Sequence, residues 1–287
     1  MDAASQIRTP SSLPVLEVRE LALRFGSRLV QERMSFAVAP RTIFAIVGVS
    51  GCGKSTLLRS LIGLMVPASG QVLYGGADYW AAGSAQRKHL RTGCGMLFQS
   101  AALWSSMTVE QNIDLALRQL TTLGEAQRVT RIAEVLAWVG LEKFGNFRPA
   151  DLSGGMKKHA ALARAIAGAP PLLLLDEPSA GLDPISSCNL DALILDIRSR
   201  TGAAVIFVSH ELPSLFALAD DGIFLDADSK RPIAHGSPRD MLAHSQEPTV
   251  HAFMRRQALP ASAPAPVRAT APAIAPAPDQ TRAHPGP

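Results

Sequence analysis

A glycine-rich segment near the start of the chain has the composition and spacing of a phosphate-binding loop. It fits the pattern G-x-x-x-x-G-K-[ST] with the residues Gly48-Val49-Ser50-Gly51-Cys52-Gly53-Lys54-Ser55. Glycines let successive backbone N–H groups point at one oxyanion, and the following helix adds the positive end of its dipole. We predict that Lys54 reaches the β- and γ-phosphates of a nucleotide, that Ser55 binds Mg²⁺ through its hydroxyl and that Thr56 contacts the α-phosphate. Cys52 lies inside this loop, and we interpret it as a tolerated loop side chain rather than as a redox switch.

Two adjacent carboxylates form a second candidate site. Asp176 and Glu177 follow four leucines and precede Pro178. A carboxylate at the end of a buried strand beside a phosphate loop holds Mg²⁺, usually through water. Because side chains alternate along a strand, Glu177 is expected to point differently and to polarise the attacking water. The alternative, an acidic loop that merely ends a strand, is disfavoured by the phosphate loop upstream.

A third segment, Leu152-Ser153-Gly154-Gly155-Met156, comes just before an alanine-rich stretch with high helix propensity. A serine hydroxyl and glycine N–H groups at a helix N-terminus can bind an anion without a lysine. Taken alone, the segment also suits an N-cap serine followed by a flexible turn. Its occurrence with the two preceding sites favours anion binding.

These three segments resemble the ABC ATPase family, in which the third is the signature sequence. The resemblance extends over roughly residues 15–245 and implies that Ser153, Gly154 and Gly155 bind the γ-phosphate of ATP held by another subunit. Two copies would then stack head to tail as a homodimer, with ATP and Mg²⁺ between them. Met156 stands where many members have glutamine, and Arg41 where many have glycine, but neither change removes a phosphate ligand.

Four further residues acquire a role only through this resemblance. Gln99 matches the Q-loop, with a part in catalysis and metal binding, and Asp183 in Gly181-Leu182-Asp183-Pro184 matches the D-loop. His210 matches the switch histidine and, with Lys54, would stabilise charge during catalysis. Phe25 stands where an aromatic ring stacks on adenine, although such a phenylalanine is more often part of a core.

The elements that must position these residues can be read from hydrophobic patterns. Residues 15–25 roughly alternate, as in a half-buried strand, whereas residues 41–49, 172–175 and 203–209 are short apolar runs. Such runs, separated by helical segments, favour a parallel sheet that is buried on both faces. Residues 54–64 have helical spacing, and Pro67 and Gly70 are expected to stop that helix. Residues 100–168 are predicted to be mostly helical, with a capping box at Thr108–Gln111.

The resemblance gives these elements a fold class, α/β. It implies a P-loop NTPase with a RecA-like parallel-sheet core, a small antiparallel β subdomain and a helical signature subdomain at about 100–168. We expect a flexible leader at 1–12, the ATPase domain at 13–257 and a disordered tail at 258–287. The tail holds eight of the 21 prolines and few large apolar groups, so it cannot bury enough surface to offset its ordering entropy.

Composition limits the cellular setting. Net charge is +4 and no block of basic residues is present, which argues against a nucleic-acid partner. Three cysteines without metal-ligand or CxxC spacing indicate a reducing compartment. No apolar run reaches the length of a spanning helix, and the N-terminus lacks the apolar core of a secretory signal. We therefore expect a cytoplasmic protein that another subunit holds at the membrane.

Within the ABC family, three stretches resemble the ATPases of Mla/Mce lipid-transport systems. They are residues 99–109, residues 152–167 and the region from 234 to 254. The resemblance implies a MlaE-like permease, an Mce-domain lipid-binding protein and often a STAS-domain protein as partners. It also implies a place at the cytoplasmic face of the inner membrane and the energising of phospholipid transport between two membranes. The permease contact is expected at 99–108, where Trp104 is either a contact residue or a partly buried aromatic.

Two other functions share the same catalytic residues. One is the ATPase of an importer for solutes such as amino acids or osmoprotectants. The other is a non-transport ABC ATPase acting on DNA or ribosomes. Such proteins commonly carry paired cassettes or long coiled-coil insertions, whereas this sequence shows one phosphate loop, one signature segment and no heptad array, so this function is disfavoured.

Overall fold

The computed structural model describes residues 13–256, so the predicted leader and tail lie outside the described residues. Within this range the chain forms ten strands and nine α-helices. The strands are β1 Leu16–Phe25, β2 Arg28–Val38, β3 Ile43–Gly48, β4 Ser69–Tyr74, β5 Ala77–Asp78, β6 Cys94–Leu97, β7 Leu172–Asp176, β8 Ala204–Val208, β9 Asp221–Leu225 and β10 Pro232–His235. The helices are α1 Lys54–Leu61, α2 Ser84–Thr92, α3 Val109–Leu120, α4 Glu125–Trp138, α5 Gly154–Ile166, α6 Pro184–Thr201, α7 Leu212–Leu218, α8 Pro238–His244 and α9 Pro248–Met254.

The predicted parallel sheet is confirmed and has the strand order β10-β9-β3-β8-β7-β6. Its strands are parallel except for β10, which runs antiparallel to β9. Alternate residues enter different cores, as β3 shows: Ala45 and Val47 face one core and Phe44 and Ile46 face the other. Both faces are covered, which is why these strands read as continuous apolar runs in the sequence.

A second, antiparallel sheet has the order β2-β1-β4-β5. Its first strand agrees with the alternating pattern of residues 15–25. The hairpin between β1 and β2 turns at Gly26, whose φ of 57° lies in the left-handed region. Phe25 therefore stands at the exposed tip of a hairpin rather than in the core.

The stretch predicted to be mostly helical contains α3, α4, a 3-10 turn at Pro149–Asp151 and α5. Thr108 caps α3 through the predicted capping box, in which its hydroxyl accepts a hydrogen bond from the Gln111 N–H. The side chains of these helices pack into the same core as one face of the parallel sheet.

The prediction that α1 continues to residue 64 is wrong. The helix ends at Leu61, and Gly63 adopts a φ of 78° directly against the side chain of Tyr79. A β-carbon at Gly63 would collide with that ring. The N–H groups of Gly63 and Leu64 donate to the main-chain oxygens of Ser60 and Arg59, which is the hydrogen-bond pattern of a glycine C-cap. Gly63, rather than Pro67 or Gly70, therefore ends the helix.

The carboxyl ends of the parallel strands bring the predicted site residues to one edge of the sheet. Strand β7 is paired with β8 so that Asp176 lies opposite Val208, and β3 is paired with β9 so that Gly48 lies opposite Leu225. Ligands of open parallel sheets bind beyond this edge. Between residues 13 and 256, no helix combines the length and the apolar character needed to span a membrane.

Candidate functional site

The predicted phosphate loop connects β3 to α1, as a strand–loop–helix arrangement requires. Gly48 has a φ of 147°, and a β-carbon there would collide with the main-chain oxygen of Leu225. Gly53 has a φ of 109°, and a β-carbon would lie 2.8 Å from a methyl carbon of Val30. Glycine is therefore required at both positions, for backbone conformation and for space.

Lys54 opens α1 and reaches back over the loop. Its Nζ donates hydrogen bonds to the main-chain oxygens of Gly48 at 2.7 Å and Val49 at 3.0 Å, and its side chain is largely buried. The ammonium group is thereby fixed at the mouth of the loop, beside the N-terminus of the helix. A lysine in this position can bind phosphate oxygens as a point charge.

A cleft of about 590 Å³ opens over this loop. Ten predicted site residues line it: Phe25, Ser50, Gly51, Gly53, Lys54, Ser55, Thr56, Gln99, Glu177 and His210. Four basic or apolar residues outside the predicted motifs also line it: Arg28, Leu29, Val30 and Lys230. The structure thus gathers residues from five connections at one cleft.

Phe25 lies at the rim of this cleft with 55% of its surface exposed. The alternative in which Phe25 is a core residue does not agree with this exposure. A flat apolar ring that is open to a polar cleft is suited to stacking on a planar base.

Ser55 and Asp176 approach each other from α1 and β7. The Ser55 hydroxyl donates to Oδ1 of Asp176 over 3.3 Å. Burial raises the pKa of the Asp176 carboxyl, and the Ser55 hydrogen bond and the charges of Arg59, Lys158 and Lys54 partly offset that rise. Two hard oxygen ligands beside a phosphate loop fit Mg²⁺, which keeps several waters and takes its other ligands from phosphate.

The predicted orientation of Glu177 was derived from strand alternation, and that reason is wrong. Strand β7 ends at Asp176, and Glu177 adopts a left-handed backbone with a φ of 48°. Its N–H donates to the main-chain oxygen of Val208 at 3.0 Å. This turn directs the carboxylate towards the cleft, where Oε2 lies 2.9 Å from Nδ1 of His210. The contact does not have the geometry of a hydrogen bond, since Oε2 is buried without a hydrogen-bond partner in the described chain.

Cys52 differs from its neighbours in the loop because its side chain turns inward. It is almost fully buried, it does not line the cleft, and burial raises the pKa of its thiol. The main-chain oxygen of Cys52 accepts a hydrogen bond from the buried amide of Gln31 at 2.7 Å. Only the backbone of Cys52 is therefore available to a phosphate, and the side chain acts as loop packing. Gln31 is a supporting residue that the sequence patterns did not indicate.

The signature segment and Asp183 do not line the cleft of their own chain. Ser153 caps α5, accepting from the Met156 N–H at 3.3 Å, and Asp183 caps α6, accepting from the Ser186 N–H at 3.0 Å. A β-carbon on Gly154 would lie 3.9 Å from Leu182, so the two segments are neighbours on the surface. A site that serves a second subunit must lie outside the cleft of its own chain, as these residues do. Their contacts with a nucleotide stay predictions.

Lys158, which no sequence motif indicated, contacts the backbone of two residues that line the cleft. It lies on α5 and is 5% exposed. Its Nζ donates to the main-chain oxygens of Gln99 at 2.6 Å and Glu177 at 3.2 Å. Burial lowers the pKa of its ammonium group, whereas the carboxylates of Asp176, Glu177 and Glu211 act in the opposite direction. Helical spacing predicts that Lys158 is more buried than Lys157, because Lys158 lies on the same helix face as Ala161 and Leu162, which are buried.

A phosphate loop after a central parallel strand, with an acidic pair at the edge of a nearby strand, defines a P-loop nucleoside triphosphatase. A sequence profile described as ABC transporter matches residues 31–180, just over half of the 287 residues. The chain belongs to the ABC transporter family. It is the ATP-binding subunit of such a transporter and hydrolyses ATP, and subunits of this kind dimerise and associate with a transmembrane permease.

Three known proteins illustrate the similarity. The chain is 37% identical over 240 residues to the intermembrane phospholipid transport system ATP-binding protein MlaF of Escherichia coli (strain K12), covering 84% of this chain and 88% of that protein. It is 38% identical over 220 residues to the methionine import ATP-binding protein MetN of Mesorhizobium japonicum, covering 77% of this chain and 60% of MetN. The structure of cbiO1 from Clostridium perfringens, part of the ABC transporter complex cbiONQ, matches with a TM-score of 0.74 at 26% identity, over 80% of this chain and 91% of that one.

Proposed function

We propose that this chain energises phospholipid transport between the inner and outer membranes as the ATPase of an Mla/Mce-type system. The observation that carries the proposal is the similarity to MlaF, which extends over 84% of this chain and 88% of that protein. The proposed partners are a MlaE-like permease, an Mce-domain lipid-binding protein and a STAS-domain protein. Through the permease the subunit would lie on the cytoplasmic face of the inner membrane.

The proposed mechanism assigns the chemistry to the edge of the parallel sheet. Lys54 and the loop N–H groups bind the phosphates, and Phe25 stacks on the adenine. The Glu177 carboxylate accepts the proton of the attacking water, and His210, 2.9 Å away, stabilises the charge that develops on the γ-phosphate. Catalysis of phosphoryl transfer depends mainly on such positioning and electrostatic stabilisation.

We propose that Ser55, Asp176 and Gln99 hold Mg²⁺, with the β- and γ-phosphates supplying further oxygens. When bound, Mg²⁺ would neutralise the charge on those phosphates. The hydroxyl of Ser55 and the carboxylate of Asp176 lie 3.3 Å apart, and Gln99 lines the same cleft.

The proposed dimer follows from the placement of the signature segment. Ser153, Gly154 and Gly155 lie away from the cleft of their own chain, beside the D-loop residue Asp183. A second copy in head-to-tail orientation would bring them to the γ-phosphate, so that ATP joins the two subunits and hydrolysis separates them.

An importer of small solutes is the second candidate. It is favoured by the 38% identity to MetN, which is as high as the identity to MlaF. The match to MetN covers only 60% of that protein. The catalytic residues are common to both functions, so only the partner subunits and the cargo can separate them.

The experiment is affinity purification of the Glu177→Gln variant from membranes of the native organism in the presence of ATP. Blocked hydrolysis should trap the closed dimer on its permease. The wild-type chain without nucleotide is the matched control, and proteins and lipids are identified by mass spectrometry. Recovery of a MlaE-like permease with an Mce-domain protein and phospholipid is expected. A different permease with a solute-binding protein would replace the proposal by the importer, and ribosomal or DNA-associated proteins without a membrane partner would overturn transport altogether.

A further inference from the structure

Lys158 joins three parts of the chain that are distant in sequence. Its backbone belongs to α5, directly after the signature segment. Its ammonium group donates to the main-chain oxygen of Gln99, which follows β6, and to that of Glu177, which follows β7. Only 5% of the residue is exposed, so these bonds are formed in a largely dry environment. A charged donor strengthens such hydrogen bonds relative to neutral ones.

The backbone of Glu177 is therefore held from both sides. Its N–H donates to Val208 of β8 at 3.0 Å, and its carbonyl oxygen accepts from Lys158 at 3.2 Å. A non-glycine residue at a φ of 48° persists only where its surroundings determine it. The Glu177 carbonyl oxygen also accepts from the Ala180 N–H at 3.2 Å, within the same turn. Lys158 is the partner that ties this carbonyl to another element, α5.

The same helix also holds the segment 99–104, which carries Gln99. Arg164, farther along α5, donates to the main-chain oxygens of Ala102 at 2.5 Å and Ala101 at 3.0 Å. Both alanines have positive φ values, 48° and 63°. Trp104 follows with 60% of its surface exposed. The segment is thus bound to α5 rather than being free to move by itself.

From these contacts we infer that Lys158 is a positioning residue for ATP hydrolysis, which fixes the Glu177 backbone to the Gln99 segment through α5. This inference rests on the proposed role of Glu177. A displacement of residues 99–104 would move Lys158 and with it the Glu177 carbonyl. The carboxylate that activates water would then leave its position without any change at the phosphate loop, where Lys54 binds the nucleotide independently.

The test compares three variants of the full chain. Lys158→Met keeps the length and the apolar stem but removes the charge and the donors, whereas Lys158→Arg retains both. Lys157→Met is the matched control, because the neighbouring Lys157 is more exposed and forms no side-chain hydrogen bond or ion pair in the described part of the chain. For each variant we would measure kcat, the ATP dissociation constant, the thermal unfolding midpoint and backbone hydrogen exchange.

We expect Lys158→Met to lower kcat at least about tenfold while the ATP dissociation constant changes less than about threefold. Hydrogen exchange should increase together in residues 99–104 and around Glu177, and Lys158→Arg should recover part of the turnover. Lys157→Met should match the wild type in every measurement.

Two results would overturn the inference. One is wild-type turnover and exchange in Lys158→Met. The other is a parallel loss of turnover, ATP affinity and thermal stability that Lys158→Arg does not relieve, since this would indicate a general packing role. Glu177→Gln is measured beside them. If that variant is inactive while Lys158→Met is normal, only this inference fails; if Glu177→Gln is active, the proposed role of Glu177 fails first.

Discussion

Oε2 of Glu177 lies 2.9 Å from Nδ1 of His210, across the ends of two neighbouring parallel strands. The proximity follows from the register of the sheet, in which Asp176 of β7 is paired with Val208 of β8. Each of the two side chains belongs to the connection that follows its strand. In this arrangement the carboxylate can accept a proton from a water molecule, and the imidazole can stabilise a developing negative charge.

Replacing Glu177 with glutamine should separate chemistry from binding. We expect turnover to fall about 100-fold or more, because a general base contributes roughly 10²–10⁴-fold. ATP affinity should stay within about threefold, because the phosphate loop is untouched. Lys54→Ala should behave in the opposite way, weakening ATP binding roughly tenfold or more through loss of a charged hydrogen bond.

These two variants are measured by steady-state ATPase assays and by titration calorimetry with ATP. Glu142→Gln, which changes an exposed carboxylate that does not line the cleft, is the control for the charge change. Unchanged turnover in Glu177→Gln, or unchanged ATP affinity in Lys54→Ala, would refute the corresponding assignment.

Phe25→Ala should weaken ATP binding without unfolding the protein. Stacking on a base contributes about 1–3 kcal/mol, so ATP affinity should fall roughly 5- to 150-fold. The free energy of unfolding should change little, because 55% of Phe25 is exposed. Phe25→Trp should retain most of the affinity.

Tripolyphosphate provides the discriminating probe, because it carries the phosphates of ATP but no base. Its affinity, measured by competition, should be equal in the wild type and in Phe25→Ala. A loss of tripolyphosphate binding would mean that Phe25 shapes the phosphate loop rather than contacting adenine.

Asn112→Ala should destabilise the segment that carries Trp104. Asn112 on α3 is buried, and its amide accepts from the Trp104 N–H at 2.8 Å and donates to the Thr108 oxygen at 2.9 Å. Leaving such groups buried without partners costs about 1–3 kcal/mol. Urea unfolding should show a decrease of that size, whereas Asn189→Ala, at an exposed site on α6, should change the unfolding free energy by less than about 0.5 kcal/mol. Equal stability of the two variants would contradict the role of Asn112.

The three cysteines should differ in their reaction with N-ethylmaleimide at pH 7. Cys188 is exposed, whereas burial raises the pKa of Cys52 and raises that of Cys94 to about 12. The thiolate is the reactive form, so a raised pKa lowers its fraction at any pH below that value. Mass spectrometry should find the label on Cys188 alone until the protein is denatured.

The Cys188→Ser variant tests whether the loop cysteine is inert. Its ATPase activity should resist maleimide, because Cys52 is shielded inside the phosphate loop. Rapid inactivation of this variant, with the label found on Cys52 by mass spectrometry, would contradict this role.

Much of this protein follows directly from its sequence. The apolar runs at 41–49, 172–175 and 203–209 predicted buried parallel strands, because a sheet covered on both faces needs apolar residues at every position. The glycines at 48 and 53 and the Lys54-Ser55 pair predicted the phosphate loop, because few other arrangements aim several N–H groups at one anion. Local patterns carry this information, since each depends on a few adjacent residues.

Other features were decided only by tertiary structure. The direction of Glu177 depends on a left-handed backbone whose N–H and carbonyl groups are hydrogen-bonded to Val208 and Lys158 from distant elements. The inward turn of Cys52 depends in the same way on the core beneath the loop. Helical spacing places Lys158, and not Lys157, on the same face as buried residues of α5, but it does not indicate which groups the ammonium contacts. The packing of α5 sets that ammonium against two main-chain oxygens from distant connections, because contacts between residues far apart in the chain exist only after the sheet has assembled.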